Sequence, residues 1–323
     1  MENRYFKDVQ KIIETEISSK QPSLLYDPIV YSLSQKANRI RSGFTLIGCE
    51  MFGGNMENAL YPAVGIEIFH NSILMHDDII DKSPVRRGQP SVYTKWDENT
   101  AILSGDAMFA LANIFMRKTD LNFIAKIMDA FTRITIGVCE GQRYDLDFET
   151  QRNVTIAEYL EMIRLKKAIL LGGALEIGGI IGDASEQDLQ HLRTFGENIG
   201  IAFQLQDDWL DMYGDTEKLG KIRGGDIAAN KKTFLYLKAL ELASEEQAIR
   251  LRHYISPINF DPIVKFNAVS AVYNELNVGE LTKAEMQKYQ ALAMDAWAKI
   301  SVSEQAKQPL KEHAETLLKR HLS

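Results

Sequence analysis

Six aspartates fall in two groups with one spacing, Asp77-Asp78-Ile79-Ile80-Asp81 and Asp207-Asp208-Trp209-Leu210-Asp211. On a helix, positions i and i+4 share a face, so Asp77 projects with Asp81 and Asp207 with Asp211, while Asp78 and Asp208 stand beside those faces. Three carboxylates so close repel one another unless a cation joins them. Both groups lie in apolar sequence, ILMHDDII and FQLQDDWL, where solvated surface charges would be out of place. Hard divalent cations want oxygen ligands, and Mg2+ in particular takes a few carboxylates and completes its shell with phosphate oxygens and water. With Asp at about one residue in sixteen, one such pattern arises by chance in roughly one chain in thirteen of this length, and two in roughly one in three hundred. One group is therefore weak grounds for a metal site, and the pair is much better grounds.

The flanks add positive charge. Arg86-Arg87-Gly88 follows the first group after Lys82-Ser-Pro-Val. Two adjacent guanidinium groups beside a metal site suit a diphosphate. Lys166, Lys167, Lys221, Lys231 and Lys232 could complete an anion pocket, although a single lysine is more often a solvated surface residue.

The elements that must position these groups are predicted to be helices. Pro22, Pro28, Pro62, Pro84 and Pro90 lie early, and no proline follows until Pro257, which permits a series of long helices. Thr155-Ile-Ala-Glu158, Ser244-Glu-Glu-Gln247 and Thr282-Lys-Ala-Glu285 read as capping boxes. After the first, Ile156, Leu160, Ile163 and Ala168 recur at roughly helical spacing. Alternating runs joined by hairpin turns are missing, so strands are expected to be few or absent. The stretch Gly214 to Gly225, with four glycines and mixed charges, reads as a mobile surface loop. The fold class expected is all-α, in a single domain over residues 1–323.

Composition excludes several function classes. The chain has 323 residues, 45% apolar and 25% charged, with a formal charge of -7 and both signs interspersed. A sizeable core is possible, and no Lys/Arg block suggests nucleic-acid binding. Cys49 and Cys139 lack metal-type spacing and are expected to be small core residues of a reduced, cytoplasmic protein. The polar N-terminus does not read as a signal peptide. The most apolar stretch, Ile169 to Ile181, is too short for a membrane span and is expected to be a buried helix.

These motifs together resemble the trans-prenyltransferases, the farnesyl, geranylgeranyl and polyprenyl diphosphate synthases. HDDIIDKSPVRRG is similar to the family's first aspartate-rich motif and GIAFQLQDDWLDMYGD to its second. EGQRYDLDFE, with Gln142 and Asp145, lies between them, and GKIRGGDIAANKKT resembles the segment after the second motif. The resemblance runs from about Ser34 to Thr233. It implies an antiparallel helical bundle of isoprenoid synthase type around a deep central cavity, usually as a homodimer. It implies that Asp77, Asp78 and Asp81 bind two Mg2+ ions and that Asp207 binds a third, with Asp211 in the same metal-binding group. Arg86, Lys166, Gln204, Lys221 and Lys231 would assist the allylic diphosphate. Arg41, His70 and Arg87 would hold isopentenyl diphosphate, with Phe203 near its hydrocarbon end.

The match departs from the family in two places. The segment Lys36-Ala-Asn-Arg-Ile-Arg-Ser42 places Asn38 where the family has a lysine that contacts isopentenyl diphosphate, which removes one charge-assisted contact. Lys36 could substitute for it. Lys167 stands where the family has threonine, and it could clash with or strengthen diphosphate binding. Two other functions on this scaffold follow from such changes: a terpene cyclase that needs no second substrate, and a non-catalytic subunit of a two-component synthase. The resemblance also bears on product length, because residues just before the first aspartate motif floor the tunnel for the growing tail. Ile73 and Ser72 stand where bulky aromatics stop growth, and Ser72 is small. Phe69 lies on the same stripe, three residues below Ser72, a rise of about 4.5 Å and close to one isoprene unit. The expected floor is Phe69 and the expected main product C20, against the alternative that Phe69 is ordinary core packing.

Overall fold

The computed structural model describes residues 2–35, 37, 39–214, 223–256 and 258–319. They are overwhelmingly helical, as the patterning predicts, and form two compact units. One comprises Met1–Thr132, Gly173–Leu192 and Ser301–Leu310, and the other Arg133–Gly172, Arg193–Ile300 and Lys311–Ser323.

The first unit is organised on the Met56–Ile80 helix, which ends at the first aspartate group. Asn55 caps its start, its side chain accepting the Glu57 N–H at 3.0 Å. Val64, Ile66, Ile68 and Phe69 are all buried, so apolar residues cover most of its circumference. A helix with so wide an apolar face must be enclosed, and each such side chain contributes about 1.5–3 kcal/mol by leaving water. The helices Ile40–Met51 and Glu98–Met116 pack against it. Pro62 lies inside this helix rather than interrupting it, so the early prolines do not all mark helix boundaries. The Ile169–Ile181 helix, buried as expected, approaches Ile40–Met51 closely: a Cβ on Gly178 would stand 2.1 Å from the Thr45 carbonyl oxygen.

The second unit is built around the C-terminal part of the Glu186–Tyr213 helix, which carries the second aspartate group. Leu205, Phe234, Leu237, Leu251, Val269 and Val272 form its buried centre. The capping boxes at Thr155 and Ser244 are present with both hydrogen bonds. The third is not a cap. Thr282 lies inside the Val278–Lys299 helix, where its hydroxyl donates to the Val278 carbonyl at 2.9 Å, and the helix begins after Asn277 in a left-handed conformation. Cys49 is buried, but Cys139 is exposed, because it falls on the outer face of the Leu121–Thr150 helix beside buried Val138. Among the described residues the sole sheet is a two-residue hairpin, Val85–Arg86 with Gln89–Pro90.

Candidate active site

In the first unit the Met56–Ile80 helix delivers Asp77 and Asp78 into the interior, 4% and 3% exposed, while Asp81 at the helix end is exposed. The Asp81 N–H still bonds the Asp77 carbonyl at 2.8 Å, so the two residues keep the helical one-turn relation. The chain then reverses through the hairpin. Arg87 and Gly88 both have positive φ, 53° and 75°, as a type I′ turn requires. That reversal brings Arg86 back onto Asp78, its Nε donating to Asp78 Oδ1 at 2.9 Å. Burial pushes the Asp78 carboxyl up, and Arg86 opposes the shift. The Asp77 side chain makes no hydrogen bond or ion pair among the described residues. A buried carboxylate without a protein partner is costly, so it calls for a cation from outside the chain.

About two to three turns earlier on the same helix lies a second set of polar groups. Glu67, 2% exposed, takes the Ser42 N–H at 3.0 Å and stands 3.6 Å from the Arg39 guanidinium. Asn71 donates to the Glu67 carbonyl at 2.8 Å and accepts from Arg87 at 3.4 Å. Burial lowers the Arg41 pKa to about 10, Glu67 opposing and Arg87 adding to the shift. Arg41 Nε is buried without a hydrogen-bond partner. His70 is half-buried on the same helix. Arg41 and Arg87 thus lie near enough to repel each other, with Glu67 offsetting part of their charge, and such a cationic pair suits an anion. Asn38 and Lys36 lie outside the described residues.

Ser72 is buried and its hydroxyl bonds the Phe69 carbonyl at 2.8 Å, while Ile73 is half-buried. Phe69 packs edge-on against Phe131, ring centroids 5.0 Å apart, and tilted against Phe109 at 6.0 Å. The expected floor residue therefore belongs to a three-ring cluster.

In the second unit the aspartates divide their roles. Asp208 is buried, accepting from the Tyr159 hydroxyl and from Gln204 Nε2 at 2.9 Å. Burial raises its pKa to about 6. Asp207 is half-buried beside it. Asp211 accepts the Gly225 N–H on Oδ1 at 3.1 Å and the Asp226 N–H on Oδ2 at 3.0 Å, which fastens the Gly225–Ala228 turn to the helix. Each carboxylate oxygen retains a lone pair, so Asp211 can hold an ion while it anchors the turn. Asp226 is raised to about 7, first by burial and then by Asp208 and Asp211, and Lys231 opposes both shifts. Phe203 is half-buried on the same helix. Lys221 and most of the glycine-rich loop lie outside the described residues.

Lys166 and Lys167 come from a π-turn, Arg164–Ala168, inserted between two helices. Lys166 is 8% exposed and pairs with Asp145 at 2.5 Å. The Leu121–Thr150 helix can approach this turn because residue 141 is glycine. A Cβ there would stand 2.3 Å from the Lys166 backbone nitrogen. Lys167 is half-buried and Lys231 exposed. Lys232 does not join this group: its ammonium bonds the Phe148 and Gln151 carbonyls, each at 2.5 Å.

Three features escaped the sequence reading. Tyr159 caps Asp208 from another helix, with no motif to mark it. The π-turn has no composition signal. The burial of both Gln142 amide atoms without a hydrogen-bond partner has no sequence signal either, although the residue itself lies in the EGQRYDLDFE motif.

No three His, Cys, Asp or Glu side chains among the described residues converge into a metal cage. The adjacent carboxylates of Asp77 and Asp78, and of Asp207 and Asp208, are hard oxygen donors of the kind Mg2+ takes, one or two at a time, beside water and phosphate oxygens.

The polyprenyl synthetase family model matches residues 22–272. The chain belongs to that family. It is a trans-prenyltransferase. The chain is 37% identical to the geranylgeranyl diphosphate synthase of Methanosarcina mazei over 235 residues, 72% of each chain. It is 37% identical to the short chain isoprenyl diphosphate synthase of Methanothermobacter thermautotrophicus over 249 residues, 77% of each. Among solved structures, the geranylgeranyl pyrophosphate synthetase of Pyrococcus horikoshii superposes with a TM-score of 0.90 at 32% identity, covering 97% of this chain and 95% of that one. The all-α isoprenoid synthase fold is thus that of a polyprenyl synthetase, and no observation favours the cyclase or the non-catalytic subunit.

Proposed function

We propose that the chain is an Mg2+-dependent synthase, one domain over residues 1–323, that joins isopentenyl diphosphate head-to-tail to an allylic diphosphate, with C20 favoured and C15 or longer possible. The observation that carries this reading is the buried Asp77 carboxylate, which has no hydrogen-bond or ion-pair partner among the described residues and lies beside the Asp78–Arg86 pair. Relatives support the chain length: the proteins of Methanosarcina mazei and Sulfolobus acidocaldarius are named geranylgeranyl diphosphate synthases, although that of Natronomonas pharaonis is named a geranylfarnesyl diphosphate synthase.

When bound, three Mg2+ ions held by Asp77, Asp78, Asp81, Asp207 and Asp211 would supply charge that stabilises a departing pyrophosphate. Arg86, Lys166, Gln204, Lys221 and Lys231 bind the allylic diphosphate, and Asp145 positions Lys166. Arg41, His70 and Arg87 hold isopentenyl diphosphate, with Asn38 and Lys167 modifying its grip and Phe203 beside its hydrocarbon end. The allylic C1–O bond breaks with its electron pair going to pyrophosphate, and Arg86 and Lys166 stabilise that charge. The double bond of isopentenyl diphosphate forms the new bond to C1. Its C2 proton leaves to the released pyrophosphate, which restores a double bond. Apolar walls keep water from the cation. No described helix is long and apolar enough to cross a membrane. A cytoplasmic homodimer completes the proposal.

The test is incubation with a C10 or C15 allylic diphosphate, with and without isopentenyl diphosphate. Elongation only when both are present is the expected result. A hydrocarbon or alcohol formed without the second substrate would mean a cyclase.

A further inference from the structure

Lys265 is a buried lysine that the proposed chemistry does not use. It is 4% exposed and stands fourth in the Pro262–Glu275 helix, at the positive end of that helix. Burial lowers its pKa. Its ammonium has two partners, and neither is a carboxylate: it donates to Asn230 Oδ1 at 2.6 Å and to the Ala228 carbonyl at 3.2 Å. Burial and the helix dipole both disfavour a cation there. An apolar side chain of similar length would pack at less cost. Stability alone therefore does not account for a lysine at this position.

What Lys265 holds is the segment that carries Lys231. Asp211 fastens the start of that segment through the Gly225 and Asp226 N–H groups. Phe266 lies against it at Gly224, where a Cβ would stand 2.3 Å from the ring. Asn230 has a φ of 58°, a left-handed conformation that turns the chain just before Lys231, and the Lys231 N–H bonds the Asp226 carbonyl at 2.9 Å. On the other side the Lys232 ammonium donates to the Phe148 and Gln151 carbonyls. Lys231 is thus bracketed: Lys265 holds the residue before it, and the end of the Leu121–Thr150 helix holds the residue after it. Between the two anchors Lys231 is exposed, and its charge reaches Asp208 and Asp226, whose upward shifts it opposes.

We propose that Lys265 is a positioning residue for the allylic diphosphate, acting through Asn230 to hold Lys231 at the second aspartate group. This role rests on Lys231 binding that diphosphate, as in the function proposed above. With its backbone fixed on both sides, Lys231 loses only side-chain rotation on binding, and its ammonium is already aimed.

The experiment compares Lys265→Met, Asn230→Gly and Asn230→Asp with the parent chain. Met fills similar space without the ammonium. Gly keeps the positive φ and removes the acceptor, whereas Asp keeps both. Val269→Ala, buried one turn along the same helix, is the control for lost stability. Hydrogen exchange over residues 228–231 should quicken about tenfold or more in Lys265→Met and Asn230→Gly. Calorimetry with inorganic pyrophosphate and Mg2+ should show binding about tenfold weaker in both, the partial loss of one charge-assisted contact. KM should rise by a similar factor for the allylic diphosphate and hold for isopentenyl diphosphate. Lys265→Met with Asn230→Gly should be no worse than either alone, because both remove one contact. Asn230→Asp should behave as the parent, and Val269→Ala should melt lower with pyrophosphate binding unchanged. Faster exchange with parental pyrophosphate binding, or equal weakening in Val269→Ala, would mean that Lys265 supports only the fold and would overturn the proposal. If Lys265→Met does not fold, Asn230→Gly against Asn230→Asp decides alone. A parent chain that binds no pyrophosphate would instead remove the diphosphate site itself.

Discussion

Gly141→Ala tests how the site is assembled, because one methyl group is asked to fit where backbone already lies. The new Cβ would stand 2.3 Å from the Lys166 nitrogen, 2.7 Å from its Cα and 2.8 Å from the Leu165 carbonyl carbon. Ordinary contact begins near 3.4 Å, so the π-turn must retreat by about 1 Å, and backbone cannot rotate away as a side chain can. Overpacking of this kind costs typically 1–3 kcal/mol. At about 2 kcal/mol, and about 2.1 cal/mol/K of unfolding entropy per residue, the melting temperature of 323 residues falls by about 3 °C. Lys166 retreats with its backbone, and a misplacement near 1 Å can lower a rate about a hundredfold. The assay is calorimetry together with kcat/KM measured separately for each substrate. The loss should fall on the allylic substrate. Gly137→Ala, one turn earlier, is the control: its Cβ meets the tip of Ile169, which can turn aside. If Gly141→Ala melts and turns over like Gly137→Ala, the close approach does not position Lys166.

Asp77→Ala should lower turnover by orders of magnitude while circular dichroism stays unchanged and the melting temperature holds or rises, since a buried unpaired carboxylate is removed. Tyr159→Phe leaves Asp208 without its hydroxyl donor and should cost about 1–3 kcal/mol in denaturant unfolding. Phe69→Ala should lengthen the product and Ser72→Phe shorten it toward C15, both read by chromatography of the dephosphorylated alcohols; parental length in both would place the floor elsewhere. Asn38→Lys should lower KM for isopentenyl diphosphate alone, a charge-assisted contact being worth roughly 1.5–3 kcal/mol at best.

The aspartates were legible because their one-turn spacing in apolar sequence has few uses, and the structure duly buries Asp77, Asp78 and Asp208. The helical class was legible from caps such as Thr155, whose partner stands three residues away. Thr282 misled because the same four-residue pattern also fits a helix interior, where the hydroxyl turns back to Val278. The pairings of Lys166 with Asp145 and Tyr159 with Asp208 join residues 21 and 49 positions apart. Such contacts depend on packing between helices, which no local spacing records. The π-turn that presents Lys166 likewise depends on the space left by Gly141.

The central claim is elongation by condensation, and the most direct measurement is the number of labelled isopentenyl units joined to a C15 allylic diphosphate with Mg2+ present. The account predicts one unit added to give mainly C20, abolished by EDTA and restored by Mg2+. A labelled product formed at the same rate in EDTA, or no incorporation of label from a folded protein with Mg2+, would contradict it.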